Sequence, residues 1–271
     1  MGDRRTIIVT GGTGYIGSHT VVELQQAGYR VIIIDNLSNS RREVIDAIEQ
    51  ITGERPEFVK LDLLDKEGLH QLFREAKADG VIHFAALKAV GESVDIPLDY
   101  YRNNVGGLIN LLEACKASGT TRIVFSSSCS VYGEPAELPV RETTPLKKAE
   151  SPYANTKRIG EDILHDCSKP DKLHTICLRY FNPVGAHPTC AIGEYPVGAP
   201  LNLFPVITQT AIGLRPKLSV FGTDYPTPDG SCIRDYIHVV DVARAHVAAV
   251  KRLMSIPDVS SFEVFNIGTG R

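Results

Sequence analysis

The stretch Thr6–His19, TIIVTGGTGYIGSH, decides the fold. Thr6–Thr10 is a short apolar run, and from Tyr15 onward Ile16, Val21 and Leu24 recur at helical spacing. Between the two lie Gly11, Gly14 and Gly17. A strand that turns through glycines into a helix lets backbone approach a pyrophosphate, and the helix N-terminus offers free N–H groups and a partial positive charge. A tight turn alone also favours glycine, so the flanking pattern has to decide. No Gly-Lys-Ser/Thr follows, which disfavours a triphosphate P-loop.

Working outward, the same alternation repeats. RVIIIDN (30–36) reads as a strand, and RREVIDAIEQIT (41–52) as an amphipathic helix with Val44, Ile45, Ile48 and Ile51 on one face. EFVKLDL, KEGLHQLFREAKA and GVIHFAA continue as strand, helix and strand; a long helix is expected over about 97–119, then the strand RIVFSSS (122–128). Apolar runs without strict alternation imply strands buried on both faces. Their repetition with helices predicts an α/β protein with a doubly wound, parallel, Rossmann-type sheet. From about Pro183 proline and glycine become frequent, and the alternation lapses over NPVGAHPTCAIGEYPVGAPLN. Such segments pack as loops over a site formed by the sheet, so a smaller, loop-rich C-terminal lobe is expected, interleaved with the first. Regular elements return with LFPVITQTAIG, CIRDYIHV, VDVARAHVAAVKRL and FEVFNIG.

Composition narrows the classes of function. The chain has 271 residues, 43% of them hydrophobic and 23% charged, with a net charge of −3. That balance argues against a nucleic-acid coat or a membrane-surface protein. No apolar run approaches a membrane span, and MGDRRTIIVTGG lacks the apolar core of a signal peptide. MGDRRT matches the short myristoylation pattern, but a strand follows at once and the match reads as chance. Six cysteines form no C-x-x-C pair and read as reduced thiols of a cytoplasmic protein. Eight histidines form no ligand cluster, so no metal is expected.

The chemistry-bearing positions fall at strand ends. Asp35 closes the second strand, eighteen residues past Gly17. A carboxylate there can accept both ribose hydroxyls of an adenosine and would repel a 2′-phosphate, which favours NAD over NADP. Asp62 ends FVKLD where an adenine edge would lie, and HFAA offers small residues near the pyrophosphate, with Lys88 just beyond. Ser128 sits at the C-terminal tip of a buried strand, the edge that faces the ligand crevice in open α/β sheets. Twenty-five residues later come Tyr153 and Lys157, which share a helix face. A lysine cation beside a phenol stabilises the phenolate; lowering its pKa from about 10 to near 7 takes roughly 4 kcal/mol. Singly these are ordinary surface residues. In this order with the glycine loop they point to a nicotinamide-dependent acid/base site.

The order of motifs resembles the extended short-chain dehydrogenase/reductase superfamily. Within it, TGGTGYIGSHT, IDNLSNS, HFAALKAVGES, SSSCSVYG, SPYANTK, RYFNPVGAHP, NLFPVI, VFGTDYPTPDGSCIRDYIHVVD and FNIGTG together resemble the UDP-galactose (UDP-glucose) 4-epimerase family, from Arg5 to Gly270. The resemblance implies a bound NAD that takes a hydride from C4 of the hexose while Tyr153 removes the 4-hydroxyl proton. It further implies that the 4-keto sugar rotates and is reduced on its other face. It divides the chain into a NAD-binding domain over 1–182, with catalytic Ser128, Tyr153 and Lys157, and a substrate-binding lobe over 183–271.

By motif, the implied cofactor contacts are Gly11, Gly14, Tyr15, Ile16 and Gly17; Asp35, Asn36, Leu37, Ser38, Asn39 and Ser40; Asp62 and Leu63; Phe84, Ala85, Ala86, Leu87 and Lys88; Asn103, Ser128, Tyr153, Lys157 and Phe181. The implied UDP-sugar contacts are Ser128, Tyr153, Asn182, Asn202, Leu203, Ser219, Val220, Phe221 and Arg234. Leu201 precedes Asn202 where two asparagines can occur in the family. Members of the family continue for tens of residues past the position of Arg271, so the resemblance implies an incomplete, truncated substrate lobe. It also implies a homodimer. The helix expected near 97–119 carries apolar residues on more than one face (Leu98, Val105, Leu108, Leu111, Leu112), which suits pairing with a second copy or burial under loops.

Three other readings remain at this stage. A nucleotide-sugar dehydratase or decarboxylase of the same superfamily would place an acidic residue beside the strand-end serine, where this chain has Cys129 and Ser130. An oxidoreductase that releases NADH would bind its cofactor loosely. A non-catalytic NAD-binding fragment would have no need of a tuned phenol.

Overall fold

The computed structural model describes residues 4–198, 200, 202–220, 222–256 and 260–270. Leu201 and Phe221 lie outside the described residues. The first half is β1 (Thr6–Thr10), α1 (Tyr15–Gln26), β2 (Arg30–Asp35), α2 (Glu43–Thr52), β3 (Glu57–Lys60), α3 (Lys66–Ala76) and β4 (Gly80–His83). It continues through α4 (Val90–Asp95), α5 (Pro97–Tyr100), a π-helical turn at Tyr101–Gly106, α6 (Gly107–Ser118), β5 (Arg122–Ser126) and a 3-10 turn at Cys129–Tyr132. Then come α7 (Pro152–Ser168), β6 (His174–Tyr180), β7 (Asn182–Val184), α8 (Leu203–Ala211), β8 (Tyr236–His238), α9 (Val239–Ser255) and β9 (Ser261–Ile267).

The main sheet runs β3-β2-β1-β4-β5-β6-β9. Every pairing in it is parallel. Side chains alternate along β1 between two cores. Ile7 and Val9 meet Val21, Val22 and Leu24 of α1 and Val242, Val247 and Val250 of α9. Ile8 meets Leu69 and Phe73 of α3, Leu108 and Leu111 of α6, and Leu164 of α7. Both faces of the sheet are therefore covered by helices. This is why TIIVT and VIII show no polar alternation: burying each large aliphatic side chain contributes about 1.5–3 kcal/mol on either face. The chain reverses its winding between β1 and β4, and the crevice beyond their C-terminal ends is where such sheets bind ligands.

The sequence misses three features. The helix expected over 97–119 is broken at Tyr101–Gly106, where the wider π turn accommodates an extra residue. There the buried Asn104 amide accepts from Leu87 N at 2.8 Å and donates to the Leu87 carbonyl and to Thr156 Oγ1, both at 3.0 Å. The bulge thus ties the loop after β4 to α7. Strand β6 is buried at every position, yet His174, Thr175 and Arg179 interrupt its apolar pattern. The short helix α4 has too few residues for periodicity to show.

After β7, which pairs with β8 in a separate two-stranded sheet, the chain crosses the crevice as a loop and forms α8. It then returns to the main sheet. Helix α9 packs on α1, and β9 pairs with β6 along its whole length.

Candidate functional site

A cleft of about 1560 Å³ runs along the C-terminal ends of the strands, from Asp35 to Tyr153. Its floor is the glycine loop. Gly11 has φ +71, and a Cβ there would lie 2.8 Å from Ala85 N. At Gly17 a Cβ would stand 2.2 Å from the Gly11 carbonyl. No side chain caps α1, and no acidic residue occupies its first turn. Thr13 N and Gly14 N are spent on Asp35 and the Gly11 carbonyl, and the first intrahelical donor is Ser18 N, to Gly14 O at 2.9 Å, so the N–H groups of Tyr15, Ile16 and Gly17 remain available to an anion.

Asp35 closes one end of the cleft. It is 8% exposed, and its carboxylate accepts from Thr13 N at 3.2 Å, Leu37 N at 2.9 Å and Ser40 Oγ at 3.0 Å. These bonds fix the turn after β2 with Leu37 at φ 62, a strained value for a side chain with Cγ branching. Asn36 Nδ2 donates to Asp62 Oδ2 at 2.8 Å, which joins the ends of β2 and β3. Asn36, Ser38, Asn39, Ser40, Asp62 and Leu63 line the cleft. Phe84 through Lys88 line its middle, and Asn103, Phe181, Tyr15 and Ile16 reach it as well.

At the other end stand Ser128, Tyr153 and Lys157. Ser151 caps α7 by accepting from Ala154 N at 3.1 Å, and Pro152 occupies the first turn. Proline at that position lacks only an N–H that has no partner in the helix anyway. Tyr153 and Lys157 follow one turn apart on the face turned to β5. Lys157 is 4% exposed; its Nζ donates to the Ser126 carbonyl at 2.7 Å, 5.9 Å from the Tyr153 ring centre. Ser128 Oγ accepts from Ser130 N at 3.2 Å and Ser130 Oγ at 2.9 Å.

The electrostatics differ from the sequence expectation. Burial pushes the Tyr153 phenol up to about 12, with the Ser128 hydroxyl acting in the opposite direction. Burial also pulls Lys157 down to about 8, against the raising effect of the Glu161 carboxylate. The lysine binds a carbonyl of β5 instead of the phenol. Desolvation, which penalises both charged forms, therefore outweighs their mutual attraction.

The expected substrate residues divide. Asn202 lines the cleft, its Nδ2 held by Glu194 Oε1. Asn182 uses its Nδ2 on the Asp235 carbonyl at 3.0 Å, joining β7 to β8. Leu203 opens α8; Ser219 and Val220 lie exposed in the loop beyond it. Arg234 is exposed and donates to the Ile233 carbonyl at 3.3 Å, while Asp235 accepts from Thr269 and Gly270. Phe221 falls outside the described residues.

Sequence reasoning missed the residues of the loop after β7. Glu194 also meets Lys88 Nζ at 3.5 Å, and the Arg41 guanidinium lies 4.1 Å from the Tyr195 ring centre. Tyr15 Oη donates to the Gly185 carbonyl at 2.7 Å. The loop thus spans the cleft from Lys88 in its middle to Arg41 near the Asp35 end. GEYP carries no motif that announces such contacts, because their partners lie about 100 residues or more away.

The family described as NAD dependent epimerase/dehydratase matches residues 7–268. UDP-glucose 4-epimerase 1 of Oryza sativa subsp. japonica is 51% identical, over 98% of this chain and 76% of its own length. The crystal structure of a UDP-glucose-4-epimerase from Stenotrophomonas maltophila, with bound NAD and formylated UDP-arabinopyranose, superposes with a TM-score of 0.94 at 49% identity. That match covers 99% of this chain and 79% of the other. A Bifidobacterium longum UDP-glucose 4-epimerase in complex with NAD+ and UDP gives 0.93 at 44% identity, over 98% and 78%. With a glycine loop, a strand-end carboxylate and a Ser-Tyr-Lys cluster along one cleft, this chain belongs to the NAD dependent epimerase/dehydratase family, on its UDP-glucose 4-epimerase branch.

Proposed function

We propose that the protein interconverts UDP-galactose and UDP-glucose with a resident NAD. The observation that carries the reading is the single cleft that holds the uncapped N-terminus of α1, Asp35 and the Ser128–Tyr153–Lys157 cluster together. The donor set fits the cofactor. Free N–H groups suit the pyrophosphate, the Asp35 carboxylate suits the adenosine ribose, and a volume of about 1560 Å³ accommodates a dinucleotide with a sugar beside it. When bound, NAD accepts a hydride from C4 of the hexose and gives it back to either face.

The chain's own residues do the rest. Tyr153 Oη takes the proton of the 4-hydroxyl and later returns it, while Ser128 Oγ hydrogen-bonds the same oxygen. A phenol pushed up to about 12 is a poor base unless positive charge stands near it; Lys157 supplies one such charge, and a nicotinamide ring held in the cleft would add another. Asn202, Leu203 and Asn182 form the sugar and phosphate side, and Ser219, Val220 and Arg234 the uridine diphosphate side. No carboxylate lines the cleft beside Ser128 among the described residues, which disfavours elimination or decarboxylation.

A homodimer in the cytoplasm completes the reading. Among the described residues no helix is long and apolar enough to cross a membrane. Val94 and Leu98 are 61% and 73% exposed near α5, whereas Leu108, Leu111 and Leu112 turn into the core. The outward residues suit a second copy. Incubating the protein with UDP-galactose and no added NAD tests the function: UDP-glucose is expected. Failure to form it even after NAD loading overturns the proposal.

A further inference from the structure

Behind the cleft lies a buried polar cluster that the mechanism above does not use. Helix α7 carries Tyr153, Lys157 and Glu161 on one face, each a turn beyond the last. Glu161 is 3% exposed. Its Oε1 accepts from Ser127 Oγ at 2.5 Å and from Arg179 Nε at 2.9 Å, and its Oε2 from Arg179 Nη2 at 2.5 Å. Arg179, on β6, also donates to Tyr132 Oη at 3.0 Å, and Tyr132 Oη donates to Asn266 Oδ1 of β9 at 2.7 Å. Ser127 is fully buried and stands between the two residues the site depends on. Ser126 supplies the carbonyl that holds Lys157 Nζ, and Ser128 follows.

We propose that Glu161 is the positioning residue of this site: it pins Ser127, and with it the Ser126 carbonyl and the Ser128 hydroxyl, against α7, and its charge keeps Lys157 protonated. The inference rests on the proposed roles of Ser128 and Lys157. Its physical basis is a count of charges. Lys157 and Arg179 are two buried cations, and Glu161, one turn past Lys157 on α7, is the buried anion paired with Arg179 of β6.

The other groups facing the lysine add no charge near neutral pH. His83 of β4 is held neutral by burial and by Lys157 itself, with its pKa pushed down to about 3. The Cys177 thiol of β6 and the Tyr153 phenol are both raised by burial. Removing the carboxylate leaves two cations in one desolvated pocket. Arginine does not give up its proton, so the lysine must.

The test follows Lys157 Nζ by NMR in cofactor-free protein labelled with [15N]lysine, the signal assigned by its loss in Lys157→Met. Glu161→Gln keeps the shape and removes the charge. Its Lys157 midpoint is expected to fall by about one pH unit or more, the order seen when a nearby opposite charge is lost. Arg179→Gln frees the carboxylate and is expected to move the midpoint the other way, and Glu161→Asp to restore it towards the wild-type value. A purely structural role predicts loss of melting temperature with no shift of opposite sign between the two variants.

The positioning half is read separately in Ser127→Ala, a mild change that leaves every charge in place. Its kcat is expected to fall at least about tenfold with KM little changed, since misplacements near 1 Å cost up to about a hundredfold. An unmoved Lys157 midpoint in Glu161→Gln, or full kcat in Ser127→Ala, overturns the proposal. The NMR titration needs no turnover, so failure of the epimerase reading shows itself independently as an inactive NAD-loaded wild type.

Discussion

Tyr153 is governed by a competition between burial and its neighbours. Burial dominates and pushes the phenol up to about 12, against the lowering effect of the Ser128 hydroxyl. A difference titration of phenolate absorbance between wild type and Tyr153→Phe, with the cofactor stripped, should show no ionisation near 10. Adding NAD brings one positive charge beside the ring and should lower the midpoint; an unchanged midpoint would remove the electrostatic account. Tyr153→Phe itself should lose at least about a hundredfold in kcat while still folding and holding NAD. Asp35 is different, because backbone and hydroxyl donors already hold its carboxylate at the tip of β2. Asp35→Asn keeps the shape and loses the charge that repels a 2′-phosphate. The preference for NAD over NADP should fall at least about tenfold, as good hydrogen bonds to a charged group contribute about 1.5–3 kcal/mol. Calorimetry with both cofactors measures it, and an unaltered ratio would mean that the charge does not select.

Among the elements, α7 is the one whose position matters most, since it carries the acid/base pair and packs on β5. Gly160 sits at the contact: a Cβ there would lie 2.7 Å from Phe125 Cζ and 3.3 Å from Leu108 Cδ2. Two effects oppose each other in Gly160→Ala. Alanine gains about 1 kcal/mol of helix propensity, whereas overpacking a filled core costs about 1–3 kcal/mol. Phe125 is 3% exposed and Leu108 1%, so both contacts lie inside the core and cannot be relieved towards solvent. The cost should therefore win. The expected result is a lower melting temperature and a reduced kcat, as α7 shifts away from Ser128. A more stable variant with unchanged kcat would show that the helix can slide without consequence.

Across the whole molecule, the loop after β7 spans the cleft. Arg41 over Tyr195 fastens it near the Asp35 end, and Lys88 with Glu194 at the middle. Tyr195 is 68% exposed, so its contribution is that of a surface cation–π contact, about 0.5–1 kcal/mol. Tyr195→Ala should accelerate release of NAD by about two- to fivefold, the same energy expressed as a rate. Stopped-flow exchange against a fluorescent analogue reads it. An unchanged rate would show that the loop does not gate the cofactor.

The sequence by itself determined strands β1 to β5, the glycine loop and the order of the chemical groups. Each is encoded locally: apolar runs have a short period, glycine answers a backbone demand, and Tyr153 and Lys157 share a face because a helix has 3.6 residues per turn. What only the tertiary structure decided were the pairings between distant segments. Strand β6 was hidden because Arg179 looks like a surface residue until Glu161 is seen beside it. The π turn at Tyr101–Gly106 answers to Leu87 and Thr156, which no local pattern includes. Lys157 could be placed on the right helix face but not assigned to the Ser126 carbonyl. Nor could its pKa, or that of Tyr153, be read without knowing how much water each loses. Desolvation is a property of the assembled packing, and a one-dimensional string of residues does not contain it.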